Sequence, residues 1–197
     1  MVPMPSSDAQ TLDPAARRLL LEVAWESIRH GLAVGAPLQP NPAAYPDVLR
    51  APRAAFVTLH HHGALRGCIG HLEASQPLVL DVADNAFAAA FRDPRFGRLE
   101  PWELQNLELD CSVLTPAEPM VFEDEPDLLR QLRPGIDGLI LEDGWARGTF
   151  LPAVWESLPE PRQFLNELKR KAGLPAHHWS KTLKVSRYRT ESFGGRS

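Results

Sequence analysis

The chain has 197 residues, of which 44% are hydrophobic and 23% are charged, a balance typical of a folded globular protein rather than a disordered or fibrous one. Its formal net charge is -4, and a chain without a basic excess is not expected to hold nucleic acid through phosphate contacts. Two cysteines, no signal-peptide pattern and no apolar run of about 20 residues predict a reduced, cytoplasmic protein that does not cross a membrane.

The N-terminal part of the chain is predicted from helix caps and helix breakers. Residues 1–10 are rich in Ser, Pro and small side chains and are expected to form a flexible tail, followed by a single domain over residues 11–197 with no clean linker. Asp13 supplies an N-cap, and the proline after it suits the first helical position; we expect this helix to end at Gly31. The five prolines between Gly31 and Pro52 then predict a long extended loop.

A β-hairpin is predicted with its arms at residues 55–61 and 64–70. The two residues between the arms, His62 and Gly63, form a tight turn because both residue types tolerate positive φ. Counting outward from this turn predicts which residues of the two arms lie opposite each other.

The counted register places Cys68 opposite Val57, and strand alternation then puts Cys68, Arg66 and Val57 on one face. His60 lies on the other face. His61 shares the face of the thiol but lies four strand positions away, roughly 13 Å at 3.4 Å per residue, which is too far for a Cys–His hydrogen bond. A base for the thiol would therefore have to come from elsewhere in the fold.

Cys68 is the candidate nucleophile of the hairpin, and Arg66 is the candidate helper. Residues i and i+2 of a strand lie side by side, and a neighbouring cation favours the reactive thiolate form of a cysteine. Gly67 and Gly70 lack side chains, which would let a small ligand or another backbone come close. The alternative that Cys68 is a small apolar residue packed in the sheet stays open, whereas Cys111, on an apolar strand face, is expected to be core.

The rest of the chain alternates helices with strands. Residues 107–114 alternate apolar and polar side chains, which is typical of a strand with one buried face. Hairpins rather than regular βαβ units predict an α+β fold with a mixed, largely antiparallel sheet and flanking helices. The other expected elements are a helix begun by Ser75 and Pro77, a turn at 92–97, a short helix at 127–132, a hairpin around Asp143-Gly144, a helix at 162–172 and a strand at 183–191.

Arg95 is a second candidate for ligand binding, since it could act as a bidentate donor to an anion. Asp93 and Pro94 commonly build turns for local reasons, so a purely structural turn is the preferred interpretation at this place. The three consecutive histidines at 60–62 diverge on a strand and match no closed zinc pattern, so no metal site is predicted. The sequence contains no Gly-rich phosphate loop, CxxC pair or GxSxG elbow, so no cofactor is predicted.

The chain also resembles a known family in several segments that follow one another from about Asp13 to Phe193. The central one is LRGCIG at residues 65–70. The others are FVTLHHHGA before it and, after it, DVADNAFAAAFRDPRFGRL, DCSVLTPAEP, LRPGIDGLILEDGWARGTFLPAVWESLP and FLNELKRKAGLPAHHW. They are similar to the AMME-chromosomal-region protein family, and more closely to its bacterial branch, the AmmeMemoRadiSam system protein A type.

The resemblance implies an α+β fold of two unequal, interleaved lobes with a cleft near LRGCIG. It also implies a genomic association with a Memo-like protein and a radical S-adenosylmethionine enzyme, and hence a step in a shared modification pathway. We therefore expect an enzyme or a small-ligand binder that acts on a small anionic or carbonyl-bearing molecule, with Cys68 and Arg66 as catalytic residues and Gly67, Gly70 and Arg95 as binding residues. The alternative is a protein–protein interaction module, a homodimer included, in which LRGCIG is a structural element.

Overall fold

The computed structural model describes residues 11–196 and divides the chain into two compact units. Within the described residues, the first unit holds the chain up to Leu114 and again from Glu191 onward, and the second unit spans Thr115–Thr190. The expected flexible tail at residues 1–10 lies outside the described residues. The single domain expected over residues 11–197 stays a prediction.

Helices and antiparallel strands are mixed along the chain, which confirms the predicted α+β class. The strands form two four-stranded sheets, a first sheet in the order β2-β1-β3-β8 and a second in the order β4-β7-β5-β6. The helices are α1 (Pro14–Val34), α2 (Asp47–Arg50), α3 (Leu78–Phe91), α4 (Glu125–Gln131) and α5 (Pro161–Lys171). The strands are β1 (Ala55–His61), β2 (Ala64–Gly70), β3 (Leu107–Leu114), β4 (Glu118–Pro119), β5 (Gly138–Asp143), β6 (Ala146–Phe150), β7 (Lys184–Tyr188) and β8 (Thr190–Arg196). Among residues 11–196, every helix is too short or too polar to span a bilayer.

Helix α1 begins where predicted and ends later. The Asp13 carboxylate accepts a hydrogen bond of 2.7 Å from the Ala16 N–H, as expected of an N-cap. The helix runs through Gly31 and ends at Gly35, whose φ of 77° is the left-handed conformation of a C-cap. A Cβ at Gly31 would overlap the ring of Phe91 in α3. The predicted end was wrong because this glycine permits close helix packing instead of ending the helix.

The extended loop predicted from Gly31 to Pro52 contains two short helices. The Asn41 side chain accepts a hydrogen bond of 3.2 Å from the Ala43 N–H and caps a 3-10 turn at Pro42–Ala44. Helix α2 follows directly. The prediction was wrong here because proline suits the first turn of a helix as well as a loop.

The single final strand predicted at residues 183–191 is two strands, one in each sheet. β7 pairs with β4 and β5, whereas β8 lies beside β3. Between them, the Arg189 N–H donates to Thr115 Oγ1 and the Arg189 C=O accepts from the Thr115 N–H, each at 2.8 Å. A continuous run of strand-forming residues could not indicate this change of sheet.

The second unit is built around stacked aromatic rings and a buried cation. The rings of Trp155 and Phe164 are 3.7 Å apart and nearly parallel. The Lys169 side chain is fully buried, and its Nζ lies 2.6 Å from Glu125 Oε2 and 3.3 Å from the Ala176 carbonyl oxygen. The pair joins α4 to α5 and satisfies a charge that would otherwise be costly to bury.

The first sheet has one fully buried face and one half-buried face. Helix α3 packs against β1 and β2, and α1 packs against α3 and β3. Along β1 and β3, fully buried residues alternate with half-buried ones, and the buried set includes Val57, Leu59, Leu109 and Cys111. The predicted alternation of residues 107–114 and the predicted core position of Cys111 are thereby confirmed.

Gly67 lets β2 approach α3, and this yields a first testable prediction. A Cβ at this position would overlap the carbonyl oxygen of Ala89, a backbone atom of α3 that cannot rotate away. Gly67→Ala should therefore lower the free energy of unfolding by about 2–3 kcal/mol, measured from urea denaturation.

Gly97→Ala is the matched control, because a Cβ there meets nothing within 4 Å. This control should change the free energy of unfolding by no more than about 0.5 kcal/mol. Equal stabilities for the two variants would contradict the close approach of β2 to α3.

Candidate functional site

The β1–β2 hairpin contains a bulge that displaces the register expected from the sequence. The turn forms as predicted, with φ of 52° at His62 and 77° at Gly63. Between Leu59 and His60 the pairing then shifts by one residue, so that Leu59 lies opposite Gly67 and Arg66 is the extra residue of β2. The counted register is therefore wrong beyond Arg66.

The shift moves Cys68 to the other face of the sheet. Cys68 lies opposite Thr58 instead of Val57, and because side chains alternate along a strand, a slip of one residue exchanges the faces. Val57 is fully buried, whereas Thr58 and Cys68 are half-buried. The predicted placement of the thiol on the face of Val57 was wrong. Cys68 instead shares the face of half-buried Thr58.

We call the half-buried face of the first sheet its outer face, defined by Phe56, Thr58, His60, Cys68 and Asp110. Thr58 lies opposite Cys68 on one side and opposite Asp110 on the other. These three residues form a row across β2, β1 and β3, in which directly opposite Cβ atoms are about 4.5–5.5 Å apart. Thr58 Oγ1 donates a hydrogen bond of 3.2 Å to Cys68 Sγ.

The backbone of Cys68 is held by the turn that follows α3. Its N–H donates to Asp93 Oδ2 at 2.9 Å, and its carbonyl oxygen accepts from Arg95 Nη2 at 3.3 Å. β2 is an edge strand, and Asp93 and Arg95 occupy the place of a further strand along this part of it. The edge is thus protected, and the thiol stands on a fixed backbone.

Asp93 is a buried carboxylate that accepts hydrogen bonds from several donors. Its side chain is 1% exposed and forms an ion pair of 2.7 Å with Arg95 Nη2. Hydrogen bonds from Arg95, and further ones from the Cys68 and Arg95 N–H groups, hold the pKa of Asp93 well below its usual range despite the opposing effect of burial. The same contact raises the pKa of Arg95, and the nearby sulfur of Cys68 adds a smaller electrostatic effect in the same direction. The turn therefore places a permanent cation beside Cys68.

Arg66, the cation expected beside the thiol, is engaged elsewhere. Its Nε and Nη2 donate to the two carboxylate oxygens of Glu103 at 2.6 and 3.0 Å, and the Glu103 side chain is 7% exposed. Hydrogen bonding from Arg66 lowers the pKa of Glu103. No hydrogen bond joins Arg66 to Cys68 among the described residues, so the structure brings Arg95 to the cysteine and leaves the role predicted for Arg66 untested.

Gly67 and Gly70, the two glycines of the predicted site, pack closely against other parts of the protein. The space that a Gly67 side chain would need is filled by the Ala89 carbonyl, and that of Gly70 by the ring of Phe56. Both glycines therefore serve close packing, and contact with a ligand stays a prediction for them.

Two pockets of the first unit lie away from the thiol. Neither includes Cys68, Arg66 or Arg95. Among residues 11–196, no group of three or more His, Cys, Asp and Glu side chains is arranged to hold a metal ion. One pocket, of about 320 Å³, is lined by His62, Gly63, Gln105, Asn106 and Glu108; the other, of about 300 Å³ along α1, is lined by Arg18, Leu21, Glu22, Trp25, Glu26, Arg29 and Gly195.

Thr58, His60 and Asp110 are the polar residues of the outer face that sequence reasoning missed. His60 Nδ1 lies 3.5 Å from Asp110 Oδ2. A Cβ at Gly194 of β8 would overlap Asp110 Oδ1, so the absent side chain leaves room for this carboxylate. The signal that could have found these residues was a conflict in the counted register, which placed charged Arg66 opposite buried Leu59.

Comparison with known proteins gives consistent matches over most of the chain. Residues 21–193 match the family model described as AMMECR1. A protein of Methanothermobacter thermautotrophicus is 39% identical over 182 residues, which are 89% of this chain and 92% of that protein. Protein MJ0810 of Methanocaldococcus jannaschii is 35% identical over 158 residues, covering 76% and 77% of the two chains. The crystal structure of uncharacterized protein PH0010 from Pyrococcus horikoshii has a TM-score of 0.74 and 35% identity, with 89% of each chain covered.

The buried Asp93 carboxylate leads to a prediction about stability. In Asp93→Asn one carboxylate oxygen becomes an NH2 group, which would face other donors: the Cys68 N–H and Arg95 Nη2 in one orientation of the amide, or the Arg95 N–H and Nε in the other. Hydrogen bonds are therefore lost in either orientation. The free energy of unfolding at pH 7 should fall by about 2–3 kcal/mol. Asp47→Asn is the control, since the Asp47 side chain is 90% exposed and its replacement should have little effect.

The pH dependence of this difference follows from the depressed pKa of Asp93. A carboxylate with a lowered pKa in the folded state stabilises the protein above its ordinary pKa of 3.8 and loses that contribution as the pH falls further. Urea denaturation should therefore give a constant difference between wild type and Asp93→Asn from pH 7 to pH 5 and a shrinking one below about pH 4. A difference that stays the same down to pH 3 would rule out this carboxylate as the cause.

Proposed function

The chain belongs to the AMMECR1 family, and from this premise we propose that it is an enzyme or small-ligand binder whose site is the outer face of the first sheet around Cys68. The observation that carries the proposal is the position of the sulfur. Cys68 Sγ lies on a half-buried face, accepts a hydrogen bond from Thr58, and stands on a backbone held by Asp93 and Arg95. A nucleophile on a rigid backbone needs little reorganisation before it reacts.

Two neighbours of Cys68, Thr58 and Arg95, can donate hydrogen bonds. The Thr58 hydroxyl donates to the sulfur, and a donated hydrogen bond is stronger when the acceptor is an anion. Arg95 adds a cation whose side chain is 54% exposed. Nucleophilic cysteines are found beside cations at partly exposed positions, and the nearness of Arg95 to half-buried Cys68 supports a cysteine-dependent activity on the outer face.

Arg95 also indicates the class of substrate. Its Nε and Nη2 donate to Asp93 and to the Cys68 carbonyl, and Nη1 makes no hydrogen bond within the described part of the chain. A free guanidinium nitrogen next to a thiol suits a small molecule with a carboxylate or a polarised carbonyl group. The substrate we propose is therefore a small anionic or carbonyl-bearing compound.

The subtype, the cellular compartment and the pathway are proposed from the resemblance of the sequence segments to the known family. We assign the chain to the AmmeMemoRadiSam system protein A type and place it in the cytoplasm, in a modification pathway shared with a Memo-like protein and a radical S-adenosylmethionine enzyme. The segments around LRGCIG support this assignment. The relatives named above come from Methanothermobacter thermautotrophicus, Methanocaldococcus jannaschii and Pyrococcus horikoshii, so the bacterial branch belongs to the proposal and not to these matches.

An interaction module is the second candidate, and the packing of LRGCIG favours it. Arg66 pairs with Glu103, Gly67 borders Ala89, and Gly70 borders Phe56, so several positions of the segment have a structural use without any ligand. In this alternative the surface would bind a partner protein or a second copy of the chain. The reactivity of Cys68 separates the two candidates.

Thiol labelling of the native protein is the test of the proposed function. Cys111 is fully buried, and burial raises its pKa to about 12, so it should react with iodoacetamide only after unfolding. Cys68 should react quickly in the native state. Cys68→Ser should abolish the fast reaction, and Cys111→Ala should retain it. If neither cysteine of the native wild type reacts, the interaction module is the correct function.

A second labelling experiment tests Arg95 as the binding cation. Arg95→Met should slow the reaction of Cys68 with the anion iodoacetate by about 5- to 10-fold more than its reaction with neutral iodoacetamide, because the cation attracts only the charged reagent. Arg50→Met is the control, since it removes the same charge from an exposed position in α2. An unchanged ratio of the two rates in Arg95→Met would exclude Arg95 from anion binding.

A further inference from the structure

The bulge that turns Cys68 outward also brings a histidine to its face, and we propose that His60, held by Asp110, is the acid–base group that activates the Cys68 thiol. This inference rests on the proposed function of Cys68. In the register counted from the turn, His60 lay on the face opposite to the thiol. In the structure both residues belong to the outer face, because Arg66 adds one residue to β2 between them.

The strand positions place His60 diagonally across from Cys68 on the same face. His60 and Thr58 are two residues apart on β1 and share the outer face, and Cys68 lies directly opposite Thr58. His60 and Cys68 are therefore diagonal neighbours, about 7–8 Å apart in an antiparallel pair, with their Cβ atoms somewhat closer. Among residues 11–196 the sulfur is hydrogen-bonded to Thr58 and not to His60, so the proton transfer requires the imidazole to turn towards the sulfur from this diagonal position.

Asp110 gives the histidine its orientation. Its Oδ2 lies 3.5 Å from His60 Nδ1; in the proposed arrangement this carboxylate accepts from Nδ1–H and leaves Nε2 as the base. Space for the carboxylate exists because Gly194 of β8 has no side chain. The His60 and Asp110 side chains are 32% and 49% exposed, so a substrate can reach this part of the outer face.

The other histidines near the hairpin are placed less well. His71 directly follows β2, and its backbone N–H donates to the Ala55 carbonyl. Its imidazole contacts α3 instead of the outer face, since Nδ1 lies 2.9 Å from the buried carboxylate of Asp81. His61 alternates with His60 and so leaves the outer face, and its ring contacts those of His62 and Trp102.

The activation step is a balanced proton transfer. Neutral His60 takes the proton of Cys68, so the S–H bond breaks and an N–H bond forms at Nε2. The products are a thiolate and an imidazolium, and the net charge of the pair is unchanged. Asp110 stabilises the imidazolium, and the Thr58 hydroxyl continues to donate to the sulfur. The thiolate is then the nucleophile towards the carbonyl-bearing substrate.

The pH profile of alkylation tests the role of His60. Full-length protein with Cys111→Ala, which leaves one thiol, is treated with iodoacetamide between pH 5.5 and pH 10. His60→Gln should lower the second-order rate at pH 7 by about 10-fold, less than the roughly 10²- to 10⁴-fold typical of general acid–base catalysis, because alkylation depends only on thiolate formation. Above about pH 9.5, where a thiol ionises without a base, the rates of the two proteins should converge. Asp110→Asn should show a smaller loss, about threefold, with the same convergence.

His62→Asn is the matched control, because it removes an imidazole from the turn of the same hairpin and asparagine tolerates the positive φ found there. It should alkylate like the parent protein at every pH, and urea midpoints should show that all variants are folded. A His60→Gln rate equal to that of the parent, or one reduced equally at pH 7 and pH 10, overturns the role of His60 while a reactive Cys68 still upholds the proposed function. A native parent protein whose thiol does not react overturns both.

Discussion

One extra residue in β2 determines which side chains the first sheet presents on its outer face. Because successive side chains of a strand point to opposite faces, the bulge at Arg66 exchanges the faces of everything between it and the end of the strand. The charge of that extra residue is neutralised by buried Glu103, which makes the bulge compatible with a packed sheet. Without the bulge Cys68 would lie on the fully buried face with Val57. With it, the sulfur meets Thr58.

In the turn after α3, the contacts that stabilise the structure involve the same residue to which we assign anion binding. Asp93 accepts from the backbone of β2 and so protects an edge strand, and the same carboxylate holds Arg95 beside Cys68. The cation is thus positioned by the element that stabilises the strand on which the thiol stands. The sequence left a structural turn and an anion-binding arginine as alternatives. The structure shows the turn with its ion pair, and anion binding by Arg95 stays part of the proposal.

Local signals along the chain predicted most of the secondary structure. The cap at Asp13, the His62-Gly63 turn and the alternation of residues 107–114 each depend on neighbouring residues alone, and each appears where expected. The predictions failed where a distant contact decides. Gly31 does not end α1, because Phe91 of another helix packs against it, and the final strand divides at Arg189, because the chain changes from one sheet to the other.

The sequence by itself determined the α+β class, the hairpin that carries Cys68, and the family to which the chain belongs, since these follow from short-range patterns and from segments in a fixed order. Only the tertiary structure decided the face of the thiol and its neighbours. Glu103, Asp93 and Asp110 come from later parts of the chain, and their contacts depend on a one-residue shift in pairing. Strand alternation signals a conflict at Arg66 but does not give the corrected pairing, because the packing of the whole unit selects the register.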